Sequence, residues 1–155
     1  MRYDELEAAI LQQVGAADEG NLRAFGAETV VRLVREELLT DVALADELDE
    51  DAVAALGIAR ENVRTAGPAE LRSQLTRIDE GVLTDGDMDP ELLTVISALE
   101  HWTTYLETGR REEIYELAIR SIEQIDFQVS ADLSDFLATP EMAAEYERIK
   151  RRLTA

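Results

Sequence analysis

Apolar positions recur every three or four residues through most of the chain, the spacing of a helix with one buried face. The longest run of this kind lies between Asp89 and Val129. Asp89-Pro90 opens it as a helix start. Aspartate accepts hydrogen bonds from the free N–H groups of a first turn, and proline lacks the N–H that would be unpaired there. Leu92, Val95, Ile96, Leu99, Trp102 and Leu106 mark one helix face. After Thr108-Gly109-Arg110 a second face follows in Ile114, Leu117, Ala118, Ser121, Ile122, Ile125 and Val129. Two long amphipathic helices joined by a short glycine turn are expected to pack antiparallel, as a central helical hairpin.

The flanking segments carry the same period over shorter lengths. Leu6, Ile10, Leu11 and Val14 predict a helix over 3–14 that stops at Gly15. Leu22, Phe25, Val30, Leu33, Val34 and Leu38 predict a second helix capped by Asn21, with Gly26 inside it. Leu44 and Leu48 support a short helix, another is expected from Asp51 to Ala55 with Gly57 as its end, and one more turn falls in 59–65. Gly67-Pro68 starts a helix whose buried side is Leu71, Leu75 and Ile78. Residues 79–89 read as a loop. Residues 130–134 read as a linker, pinned to the core by Leu133, Phe136 and Leu137. Thr139-Pro140 starts the last helix, with Met142, Tyr146, Ile149 and Leu153 on its apolar side. No stretch alternates as a strand does. The expected fold class is all-α, a single domain over residues 1–155 with six or seven helices around the central antiparallel hairpin.

Length and composition agree with that picture. A chain of 155 residues with 46% hydrophobic content can bury a core without a metal or a disulfide. There is no cysteine, so thiolate chemistry is excluded. Charge changes the picture more. There are 34 Asp and Glu against 15 Lys and Arg, a formal net charge of −19. Such a surface repels nucleic acid and anionic membranes and attracts cations and basic proteins. Lys150 is the only lysine, and acid-rich, lysine-poor composition also suits life in high salt. Met1-Arg2-Tyr3-Asp4-Glu5 lacks a basic region followed by an apolar run, and no apolar run approaches the roughly 20 residues that span a bilayer. A cytoplasmic protein is expected.

Candidate chemistry is sparse. Asp85-Gly86-Asp87-Met88-Asp89 imitates the start of a calcium loop, but the sixth and twelfth positions hold Pro90 and Ile96 where glycine and glutamate are required. Asp89 is better used as a helix cap. His101 is the only histidine, and Glu100-His101 lacks the Glu-x-x-His spacing of a di-iron site. Ser121 and Asp126 have no nucleophile turn around them, and there is no glycine-rich phosphate loop. No catalytic residue, cofactor or metal is therefore assigned. His101, Trp102 and Tyr105 stand as a possible pocket, although at helical spacing such aromatics are more often core with one polar edge. The basic run Arg148–Arg152 sits where cations favour a helix C-terminus.

Leu22-Arg23-Ala24-Phe25-Gly26-Ala27-Glu28-Thr29-Val30-Val31-Arg32-Leu33 resembles the early helix of the YjaG-like family of uncharacterised all-helical bacterial proteins. The hairpin and Pro140-Glu141-Met142-Ala143-Ala144-Glu145-Tyr146-Glu147 are similar to that family's later half, so at the level of pattern the resemblance covers most of the chain. It implies a helical fold and carries over no catalytic residue. Related small acidic helical proteins are suspected of neutralising toxins.

Taken together, these features lead to the expectation of a non-enzymatic acidic protein-binding domain whose partner is another, basic protein. The contact candidates are Asp41, Asp46, Glu47, Asp49, Glu50, Asp51, Asp85 and Asp87. Two alternatives stand beside it. One is a small-ligand binder or enzyme with its site around His101. The other is a salt-adapted structural protein that self-associates through an apolar face, a homo-oligomer.

Overall fold

The computed structural model describes residues 1–35, 39–84 and 86–155. Its elements are all α-helices: α1 (Tyr3–Ala16), α2 (Glu19–Leu33), α3 (Asp41–Glu47), α4 (Glu50–Asn62), α5 (Pro68–Glu80), α6 (Pro90–Thr108), α7 (Arg111–Val129) and α8 (Pro140–Thr154). Eight helices among the described residues exceed the expected six or seven. No helix of the described residues is long and apolar enough to cross a membrane. The chain divides into two compact units, residues 1–29 with 110–155 and residues 30–109, so the division falls inside α2 and again at Gly109.

In the first unit α7 packs against α1 and α8, and α1 packs against α8. Leu6, Ile10 and Val14 of α1, Ile114, Leu117, Ala118 and Ile122 of α7, and Met142, Ile149 and Leu153 of α8 are buried, the faces their spacing predicts. Residues 130–138 return to the N-terminus. Phe136 donates its N–H to the Met1 carbonyl at 2.8 Å, Tyr3 donates to that of Leu133 at 3.1 Å, and the Tyr3 and Phe136 rings meet edge-on at 4.9 Å. Burial, reinforced by the negative charges of Glu7, Glu123 and Asp126, pushes the Tyr3 phenol up to about 12.

A polar cluster lies inside this unit. Glu145 of α8 is 4% exposed and accepts the hydroxyl hydrogen of Ser121 from α7. Arg148, one turn on, bonds Glu145 at 2.6 Å, Glu28 at 2.7 Å and the Thr29 hydroxyl at 3.1 Å, with its guanidinium over the Phe25 ring. Arg152 adds a second cation to Glu28 at 3.2 Å. Arg111 donates to the carbonyls of Val14 and Ala17 at 2.8 and 2.6 Å, closing the C-terminal end of α1.

In the second unit α5 packs on both α4 and α6, and α3 rests on α4. Small residues, Ala52, Ala55 and Ala59, are buried along α4. Leu71, Leu75 and Ile78 face inward from α5, and Leu92, Val95, Leu99 and Trp102 from α6. Arg72 of α5 clamps α6, with bonds to Glu100 at 2.7 Å, Glu107 at 2.6 Å and the Thr104 hydroxyl at 3.2 Å. Those hydrogen bonds hold the Glu107 carboxyl below its ordinary range. Arg60 donates to the Val34 carbonyl at 2.6 Å, just past the end of α2.

Several boundaries differ from those expected. The cap of α2 is Asp18, whose carboxylate accepts the Asn21 N–H at 2.7 Å; Asn21 lies inside the helix and donates its side-chain amide to the Ala155 carbonyl. α1 continues through Gly15 to Ala16, and α2 ends at Leu33, while the expected apolar position Leu38 lies outside the described residues. Gly57 does not end a helix. α4 runs through it, because the buried stripe Ala52, Ala55, Leu56 and Ala59 continues on the same face. Leu133 is 65% exposed; it is the Leu133 backbone and the buried Phe136 ring that hold the linker. Thr139 precedes α8 as expected, but its hydroxyl makes no capping bond. Gly109 is the left-handed turn expected between the long helices, with φ of 70°. Within its unit α6 packs on α5, and within the other α7 packs on α1 and α8.

Two outcomes follow from the arginine contacts. Glu145→Ala, which leaves the buried Ser121 hydroxyl without its acceptor and Arg148 with Glu28 and Thr29 alone, is expected to cost about 1–3 kcal/mol in urea unfolding, with Glu145→Gln costing less because the bond to Ser121 survives. For Arg72, the folded-state pKa of Glu107 is depressed, so the stabilisation is present above the ordinary value of 4.5 and is lost as pH falls below it. The stability gap between the wild type and Arg72→Ala should therefore shrink as unfolding is measured from pH 7 towards pH 3.

Candidate functional site

The acidic stretch becomes a defined surface at the junction of α3 and α4. Thr40 caps α3, its hydroxyl accepting the Ala43 N–H at 3.2 Å, and Asp49 caps α4, its carboxylate accepting that of Ala52 at 2.8 Å. Only Leu48 and Asp49 separate the helices, and residues 81–83 hold that joint in place. Asp49 donates its N–H to the Gly81 carbonyl at 2.9 Å, Leu83 donates to that of Glu47 at 2.8 Å, and Leu48 and Val82 form an antiparallel bridge. Glu47 extends the clamp, both carboxylate oxygens accepting the Asp89 N–H at 2.8 and 2.9 Å. Asp89 in turn caps α6 through the Leu92 N–H at 3.1 Å. Gly81 is required by this packing. A Cβ there would lie 2.5 Å from that of Ala52 and 2.5 Å from a carboxylate oxygen of Asp49.

The clamp leaves a groove of about 570 Å³ lined by Asp41, Leu44, Ala45, Leu48, Asp49, Glu50, Val53 and Leu83. Leu44 and Leu48 are buried and form its floor, while Leu83 is 57% exposed on its wall. Asp41, Asp49 and Glu50 are exposed at its rim, and none of the three is paired with a cation among the described residues. Val42, beside Asp41, is 73% exposed. Each acid also has a structural role. Asp41 and Glu50 lie in first turns, where negative charge offsets the helix dipole, and Asp49 is a cap.

The other acidic candidates separate from these. Asp51 is already matched to Arg77 of α5, at 2.7 and 3.1 Å, and that guanidinium holds its carboxyl below the usual range. Glu47 is half-buried in the clamp. Asp46 and Asp87 are exposed but do not line the groove, and Asp85 lies outside the described residues. Of the residues expected around His101, Trp102 and Tyr105 are buried and stacked at 5.7 Å and His101 is half-buried; none of the three lines this groove, nor a groove near Ile58 to Gln74 or one near Val34 to Glu61, of about 370 Å³ each. Ser121, the one serine considered as a nucleophile, is buried against Glu145. Among the described residues no three His, Asp or Glu side chains come together as a metal-ligand set.

Sequence reasoning missed Gly81, Val82 and Leu83. The signal was present: an apolar pair, led by the strand former Val82, directly after a glycine, inside a loop otherwise made of acids, glycine, threonine and Met88.

No protein-family model matches the chain, and neither do the curated proteins nor the solved structures. The resemblance to the YjaG-like family thus rests on the residues quoted for it alone.

Gly81→Ala is expected to destabilise the protein by about 1–3 kcal/mol, the cost of overpacking a tight site. Urea unfolding reads the loss. Gly15→Ala, at a helical glycine where a Cβ meets nothing within 4 Å, serves as the control and should be neutral or stabilising.

Proposed function

We propose that the chain is a non-enzymatic binding domain that engages a basic protein through the acidic edge of α3 and α4. Neutralising a basic effector is one form this would take, and membership of the YjaG-like family would be consistent with it. The observation that supports the reading is the meeting, in one groove, of the exposed Leu83 and the half-buried Val53 with carboxylates that pair with no cation among the described residues. Interfaces are built in this way, with apolar contact supplying affinity and charge selecting the partner. Acidity that served only hydration or salt tolerance would not require an apolar surface left open among the acids.

The test is association at two ionic strengths. The wild type and the triple variant Asp41→Asn, Asp46→Asn, Glu50→Gln are used as bait in native lysate at low and at high salt. A stoichiometric basic partner is expected, held more weakly at high salt and by the variant, since exposed charges are screened beyond about 10 Å at 0.1 M salt. Recovery of no stoichiometric partner, with the variant differing only in solubility, would identify the charge as a solubility device and end this reading. Recovery of a second copy of the chain would favour the self-associating alternative, which light scattering then checks.

A further inference from the structure

We infer that the occupant of the groove is a short basic amphipathic helix, about two turns of which seat apolar side chains on Leu44, Leu48, Val53 and Leu83. The inference rests on the proposed binding of a basic protein and specifies the form of the segment that binds.

Three features point to a helix. The first is size. The groove, at about 570 Å³, runs alongside α3, a helix of seven residues, which at 1.5 Å per residue is about 10 Å long. That length matches apolar anchors at i, i+3 or i+4, and i+7 of a docked helix.

The second is the backbone. An extended segment must find partners for its own N–H and C=O groups, and it usually does so by adding to an exposed strand edge. Among the described residues that line the groove, the extended backbone at 48–49 pairs with that at 81–83. The N–H groups of Asp49 and Leu83 are both used in the joint, and Leu48 is bridged to Val82. A strand laid over this floor of side chains would leave its polar groups without partners. A helix carries its hydrogen bonds within itself.

The third is charge. Asp41, Asp49 and Glu50 ring the apolar floor, so a helix with lysine or arginine flanking its apolar stripe meets them as the stripe is buried. The same ring disfavours an acidic or a wholly apolar helix.

The probe is a synthetic 15-residue leucine–lysine peptide with its leucines in one helical stripe. The comparison is a peptide of identical composition with the leucines distributed around the helix. Each is titrated by fluorescence anisotropy against the full chain. The striped peptide is expected to bind at least tenfold more tightly and to gain helical circular dichroism on binding. Leu83→Asp is the decisive variant. It adds a negative charge, so binding by charge alone would strengthen, whereas seating of an apolar stripe would weaken by tenfold or more. Leu83 is 57% exposed, which makes the substitution compatible with folding; Leu83→Ser serves in its place if it is not. Equal affinity of the two peptides, or tighter binding to Leu83→Asp, overturns the helical seat and leaves the acidic-edge reading standing. Binding of neither cationic peptide at low salt overturns both.

Discussion

Mutual repulsion among the carboxylates sets the conditions under which this chain folds. With a net charge of −19, each arginine near a carboxylate relieves part of that repulsion, and Arg72, Arg77 and Arg148 lie where the relief also joins distant parts of a unit. Arg72 ties α5 to α6, Arg77 ties α5 to the start of α4, and Arg148 ties α8 to α2. Arg60 and Arg111 instead reach the carbonyls at the ends of α2 and α1, groups a helix cannot satisfy by itself. Arginine suits these places better than lysine would, because its fork serves several oxygens at once. Lysine appears once in the chain and arginine makes up the other 14 of the 15 basic residues.

The helices themselves were legible because burial follows the period of the sequence. Leu92, Val95, Leu99 and Trp102 are inside, as are Ile114, Leu117 and Ile122, and Asp89, Pro90 and Gly109 punctuate the chain where their backbone chemistry requires. What eluded the pattern was tertiary. Amphipathicity shows that α6 and α7 each bury a face, but it cannot say against which helix. Gly57 was misleading because a glycine costs a helix interior only about 1 kcal/mol relative to alanine, an amount that a buried stripe on the opposite face easily offsets. The Arg148 cluster was hidden for a related reason. A basic run near a C-terminus has a sufficient local explanation in the helix dipole, and nothing local reveals that Arg148 turns inward to a buried Glu145.

The candidate site was half visible in the same sense. The acidity of residues 41–51 is plain in the sequence, yet the structure sorts these residues by what they already hold. Asp51 is matched by Arg77, Glu47 is engaged by a backbone N–H, and Asp41, Asp49 and Glu50 are left around an apolar floor. The floor itself depends on a contact 32 residues away in the sequence, between Asp49 and Gly81, which no period could disclose.

That sorting bears on how the charge can act. An exposed ion pair contributes about 0–1 kcal/mol, so three carboxylates at a rim cannot by themselves hold a partner at low concentration. Apolar area removed from water contributes about 25 cal/mol per Å², and the uncovered surfaces of Leu83 and Val42 are where such area remains to be gained. The carboxylates then matter for which partner arrives and how fast, since a field of one sign steers cationic encounters and rejects anionic ones. The two contributions separate by salt: the steering fades as ionic strength rises, while the apolar contact persists. An acidic domain that relied on charge alone would release its partner in salt, whereas one that closes an apolar groove retains it.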